Sequence, residues 1–125
     1  MKTVLSVAAI SGLLAVALGA FGAHGLKAII SPEMLEVYKT GVQYQFYHTF
    51  ALLAVGILMN FNQSKTLKWS ATLFIIGMIL FSGSLYVLAI SGIKALGFIT
   101  PFGGVTWLAA WVLLFVHCRR FTTSK

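Results

Sequence analysis

One cysteine, Cys118, and two acidic residues, Glu33 and Glu36, are all that this chain of 125 residues has of those types. A lone cysteine excludes an internal disulfide framework. It stands at the end of an apolar segment with nothing nearby to activate a thiolate, so it reads as a small helix-end residue. Charged residues make up only 9% of the chain, against about one quarter in soluble domains. Hydrophobic residues reach 59%, and such a chain cannot cover a soluble surface with polar groups. It belongs in a bilayer, and its length allows a single domain, 1–125.

The net charge of +7 is not gathered into a basic face or stripe, which excludes a nucleic-acid partner. Lys and Arg fall instead in the gaps between apolar segments, the pattern of membrane orientation. The N-terminus resembles a secretory signal, with Lys2, an apolar run and then Ala17-Leu18-Gly19-Ala20. The uncharged run from Thr3 to Ala23 is nevertheless long enough to span, and its small residues recur at helical spacing. It is read as a true first helix.

Four transmembrane helices are predicted over about 3–23, 40–61, 69–90 and 101–118, forming an all-α bundle. In the first, Ala8, Gly12, Ala15, Gly19 and Gly22 or Ala23 form a small-residue stripe that lets helix backbones approach closely in lipid. That stripe is available for self-association into a homo-oligomer. Ser31-Pro32-Glu33 supplies an N-cap, a first-turn proline and an acid suited to the helix dipole. A short outer helix over about 32–39 is expected there, lying at the interface or running straight into the second span. Glu36 and Lys39, three apart, can pair on its wet face. Trp69 suits an interfacial belt, and Thr100-Pro101 repeats the capped start for a last helix roughly 27 Å long.

Lys2, Lys65, Lys68, Arg119, Arg120 and Lys125 fall on one side, and Lys27, Lys39 and Lys94 on the other. Six against three places both termini in the cytoplasm.

Four stretches occur in order: Gly19-Ala20-Phe21-Gly22-Ala23-His24-Gly25-Leu26, Tyr44-Gln45-Phe46-Tyr47-His48, Phe81-Ser82-Gly83-Ser84-Leu85-Tyr86, and Ile99-Thr100-Pro101-Phe102-Gly103-Gly104 with Trp107 and Trp111. With them the chain resembles a family of small bacterial membrane proteins classed as a domain of unknown function (four-two-three), which also has mitochondrial relatives. The resemblance covers essentially the whole chain. It implies a four-helix integral protein of the bacterial cell membrane and no known activity, so no functional residue is carried over.

Polar groups in hydrocarbon need partners, and they mark candidate sites. Gly41, Tyr44, Gln45 and His48 share one side of the second helix, with Gln43 and Tyr47 flanking, while Ser82 and Tyr86 stack on the third. Measured from the outer ends, a cluster of Tyr44, Gln45, His48, Ser82, Tyr86 and Thr106 is expected in the outer half of the bilayer, with His24 at its rim. Ser6, Ser11, Thr72 and Asn60 belong to the inner half and can be satisfied locally. The cluster is read either as hydrogen-bonding glue worth about 0.6 kcal/mol per bond or as a pocket for a small ligand, lipid headgroup, quinone or ion.

No catalytic residues emerge, since both carboxylates sit in the connector. His24 and His48 without cysteine or acid make a poor metal site, and no cofactor is implied. The reading is thus a non-enzymatic membrane protein binding a small ligand, lipid or protein partner. A small channel or transporter subunit is the alternative. In a Cys118→Ser background, Lys94→Cys should react with an impermeant thiol reagent added outside intact cells, and Lys65→Cys should not. The reverse labelling would invert the assigned orientation.

Overall fold

A computed structural model describes residues 2–123, with side chains to residue 120; Lys125, counted above among the inner-side charges, lies outside them. Its four long helices are α1 (Lys2–His24), α2 (Pro32–Leu58), α3 (Lys65–Ser91) and α4 (Thr100–Thr123). Short 3-10 turns, Leu26–Ala28 and Lys94–Phe98, lie in the connections at one end.

Local chemistry accounts for where the helices begin and stop. Ser31 has extended backbone, and its hydroxyl accepts the Met34 N–H at 3.2 Å, with Pro32 at the first helical position. Ser64 caps α3 the same way through the Leu67 N–H at 3.1 Å, so α3 starts at Lys65 rather than near Trp69. It ends at Gly92, whose φ of 74° is the left-handed conformation that favours glycine, with its N–H on the Leu88 carbonyl. The segment 32–39, expected as a short helix, forms the first two turns of a continuous α2. Glu36 and Lys39 approach to 3.7 Å on its exposed face.

Within α3 the residues Met78–Gly83 form a π-helical segment. It lies where α3 meets both α2 and α4. Ser82 donates to the Gly41 carbonyl of α2 at 2.7 Å, while Gly103 of α4 packs on the backbone of Phe81.

Three segments, Lys2–Ala28, Lys65–Ser91 and Lys94–Arg120, are long and apolar enough to cross a membrane. Their outward faces carry Leu13, Ile79, Leu108 and Phe115, all exposed. Exposed rows of this kind fit a hydrocarbon surround. The fourth helix, α2, carries Gln43, Gln45 and His48, and it packs against α1 and both halves of α3. The polar helix thus lies between two protein neighbours, α1 and α3.

The small-residue stripe of α1 faces α2. Ala8, Ser11, Ala15 and Gly22 are buried, and Gly22 admits the ring of Tyr38, whose hydroxyl reaches the Leu18 carbonyl at 2.5 Å. Ala23, offered as one end of the stripe, is exposed. Within the chain most of the stripe thus packs against α2. On the other side α3 and α4 pack antiparallel: Ser70 donates to the Ala110 carbonyl at 2.8 Å and the Trp107 indole N–H to the Phe74 carbonyl at 3.1 Å.

A Cβ on Gly103 would sit 2.5 Å from the Phe81 backbone nitrogen, whereas one on Gly97 would meet nothing within 4 Å. Gly103→Ala should therefore cost about 1–3 kcal/mol of stability, the usual range for overpacking. Gly97→Ala should leave the thermal unfolding midpoint in detergent unchanged. Equal midpoints for the two variants would contradict the close α3–α4 contact.

Candidate functional site

Gln45 is the central residue of α2, and its amide is oriented by a backbone carbonyl. The Ser11 carbonyl of α1 only accepts, so the amide nitrogen must face it, at 2.9 Å; the same nitrogen lies 3.2 Å from the Ser11 hydroxyl. The amide oxygen then faces α3 and accepts the Tyr86 hydroxyl at 2.5 Å. One turn along α2, Thr49 shares a 2.6 Å hydrogen bond with Ser11, and both hydroxyls lie against the Met78 sulfur, at 3.7 and 3.4 Å. Gln45, Ser11, Thr49, Tyr86 and Met78 thus form one network across three helices.

His48, one position round the same face of α2, turns toward α4. Its Nδ1 lies 2.8 Å from the Tyr44 carbonyl, which requires that nitrogen to carry the proton and donate. The ring stacks flat on Trp107 of α4, with centroids 3.6 Å apart and planes 2° from parallel. Phe74 and Trp111 close around it, and Tyr44 adds a second layer over Phe81 and Trp107. Gly77 of α3 leaves the room in which the Trp107 indole sits.

The expected cluster therefore resolves into two groups. Gln45 and Tyr86 belong to the hydroxyl–amide network, with Ser82 nearby on the Gly41 carbonyl. His48 and Tyr44 belong to the aromatic stack, and Tyr44 remains 38% exposed. Thr106 joins neither, because its hydroxyl bonds back to the Phe102 carbonyl on its own helix. His24 is exposed at the end of α1, apart from both. Gln43 and Tyr47 bond to each other on the flanking face. Ser84 pairs with Thr100 of α4 at 2.7 Å.

Ser11, Thr49 and Trp107 were not among the site residues expected from sequence. Ser11 was assigned to the inner half, yet it follows Ala8 by three and precedes Ala15 by four, in register with the buried stripe. Thr49 lies four residues after Gln45, on the same face. Both signals were present in the spacing. The network is consequently deeper than an outer-half site, since Ser11, Gln45 and Thr49 all lie within about a turn of the middle of their helices.

Between α1 and α3 runs an open groove of about 410 Å³ lined by Val7, Ile10, Leu14, Leu18, Ile75 and Ile79, with Ser11, Gln45, Met78, Gly83 and Tyr86 completing it. Its lining is almost wholly apolar. A smaller recess of about 300 Å³ lies between α1 and α2 near Tyr38, Lys39 and Gln43. Among the described residues no buried side-chain nitrogen or oxygen lacks a hydrogen-bond partner. No group of three or more His, Cys, Asp or Glu side chains that could hold a metal occurs among them either.

Four helices with apolar outer faces and inward polar pairing define a polytopic membrane protein of the all-α class. Residues 18–104 match the family model described as a protein of unknown function (DUF423), and the chain belongs to that family. It is similar to the UPF0382 membrane protein YwdK of Bacillus subtilis, 44% identical over 125 residues that cover 97% of this chain and 99% of the relative. It is also similar to the UPF0382 inner membrane protein YgdD of Escherichia coli strain K12, 44% identical over 119 residues, covering 95% and 91% of the two chains. A third relative is the UPF0382 membrane protein SAB0533 of Staphylococcus aureus, 41% identical over 121 residues, 97% of this chain and 98% of that one. No solved structure matches the chain.

Replacing Gln45 by Leu removes the shared partner of Ser11 and Tyr86 and should destabilise the bundle by about 1–3 kcal/mol, the cost of stranding buried polar groups. Thr106→Val, which removes only a bond within one helix, should change stability by less than about 0.5 kcal/mol. Reversible unfolding in mixed micelles measures both. A Gln45 variant as stable as Thr106→Val would show that the network contributes nothing.

Proposed function

We propose that this is a non-enzymatic protein of the bacterial cell membrane that holds a single lipid-like molecule in the groove between α1 and α3. The observation that carries this reading is the groove itself: an apolar trough of about 410 Å³ with Gln45, Ser11 and Tyr86 in its wall. That volume falls within the roughly 300–1,000 Å³ of small-molecule sites, and its combination of apolar lining with a few placed polar groups is what such sites share. Both helices that flank it belong to segments apolar enough to span a membrane, so a chain-bearing occupant can arrive sideways from the lipid.

Chemistry argues against turnover at this place. The polar groups in the groove wall are amide, hydroxyl and phenol, all engaged with one another, while both carboxylates lie in the first two turns of α2. General acid–base or nucleophilic chemistry would want an ionisable pair there. The orientation that accompanies this reading has both termini cytoplasmic, supported by the five basic residues Lys2, Lys65, Lys68, Arg119 and Arg120 at one end of the bundle.

Gly83 lines the groove, and a Cβ placed there would meet only the Met78 carbonyl oxygen, at 4.0 Å. Gly83→Leu should therefore fill the groove without disturbing the helices. Extracted from membranes in polymer-bounded discs and released for native mass spectrometry, the wild-type protein should retain one lipid-sized adduct. The variant should retain about tenfold less, the loss expected when roughly 1.4 kcal/mol of contact is removed. Equal retention by both would overturn the assignment.

A further inference from the structure

The hydrogen bonds in the wall of the groove specify what kind of headgroup it accepts. The Gln45 amide nitrogen donates to Ser11, at its carbonyl and at its hydroxyl oxygen. The Tyr86 proton is directed at the Gln45 amide oxygen. Of the Ser11 and Thr49 hydroxyls, one donates to the other and the second donates to the Met78 sulfur, whichever way the chain of bonds runs. Each side-chain donor in the network therefore has an acceptor, the Met78 sulfur being the weak one.

Acceptor capacity is not. An amide oxygen has two lone-pair sites and only one is filled by Tyr86, while the phenolic oxygen of Tyr86 donates and retains its own lone pairs. Gln45 and Tyr86 both line the groove. A wall with spare acceptors and no unpartnered donor rewards a ligand that brings a proton over one that only accepts.

From this we infer that the groove selects a hydroxyl-headed lipid, an alcohol with one long apolar chain, over lipids whose head is an ether, ester or ketone oxygen alone. The inference rests on the lipid-binding reading of the groove and adds the chemical class of its occupant. The hydroxyl proton goes to the Gln45 amide oxygen or the Tyr86 phenolic oxygen, and the chain lies along Leu14, Leu18 and Ile79. No covalent step is involved. Because the orientation of the amide is dictated by the Ser11 carbonyl, the polarity of the wall cannot reverse without breaking the α1–α2 bond.

Photolabelling of the full-length protein in nanodiscs tests this, using a diazirine-bearing hexadecanol and the methyl ether of the same alcohol. Labelling is read on peptides from α1 and α3 as a function of probe mole fraction. The alcohol should half-saturate at a mole fraction about fivefold lower than the ether, the ratio expected from one net hydrogen bond. In Gln45→Met the Tyr86 proton is released and can donate to either probe, so the ratio should fall to near one. Equal affinity of alcohol and ether for the wild type, with both displaced in Gly83→Leu, would overturn the headgroup inference and leave the lipid groove standing. Labelling by both probes that Gly83→Leu does not reduce would overturn the groove reading as well.

Discussion

The structure turns on the Gln45 side chain, held in the middle of α2 with a partner on each side. Its nitrogen is bound to the backbone of α1 and its oxygen to the Tyr86 hydroxyl of α3. The attraction is modest, since interhelical hydrogen bonds in membranes average about 0.6 kcal/mol. The penalty for misplacement is larger, because a polar group stranded in hydrocarbon costs several kcal/mol. A slip of α1 or α3 against α2 would strand the amide, the phenol and two hydroxyls together. Register is therefore enforced by what the alternatives lack.

The groove follows from that arrangement. α1 packs chiefly on α2, along glycines and alanines that bring the two backbones close. α3 packs on α2 through Gly41, Ser82 and Tyr86, and on α4 through Gly77, Gly103 and Trp107. With α1 and α3 each fastened to α2 and not packed along one another, a trough remains between them whose floor is the network that fastens them. The π-helical segment lies at this junction and carries Met78, Ser82 and Gly83. Such segments recur at functional sites, because the wider turn redirects side chains that a regular helix would bury elsewhere.

His48 illustrates a limit of reading polar residues as ligand contacts. Its sequence setting, an ionisable ring in an apolar helix, singles it out as a candidate. In the bundle one nitrogen bonds to its own helix and the ring lies flat on Trp107, inside a shell of Phe74, Tyr44 and Trp111. The polar residue beside the groove is instead Gln45, three positions earlier and directed to α1 and Tyr86 rather than to α4.

By itself the sequence determined the number and nature of the helices, their capped starts at Ser31, the Glu36–Lys39 pair and the family. Each depends on local quantities: hydropathy over a span, side chains within one turn, and motifs in order. It also identified Gln45, Tyr86 and Ser82 as inward polar groups, because helical spacing puts them on shared faces. Only the tertiary structure decided that Ser11 and Thr49 complete the network, that Thr106 and His24 stand apart from it, and that His48 packs against tryptophan. A hydrogen bond has a reach of about 3 Å, so its partner depends on how closely two helices approach and at what register. Those distances are set by glycines, alanines and bulky rings acting across helices, and no spacing along one strand of sequence encodes them.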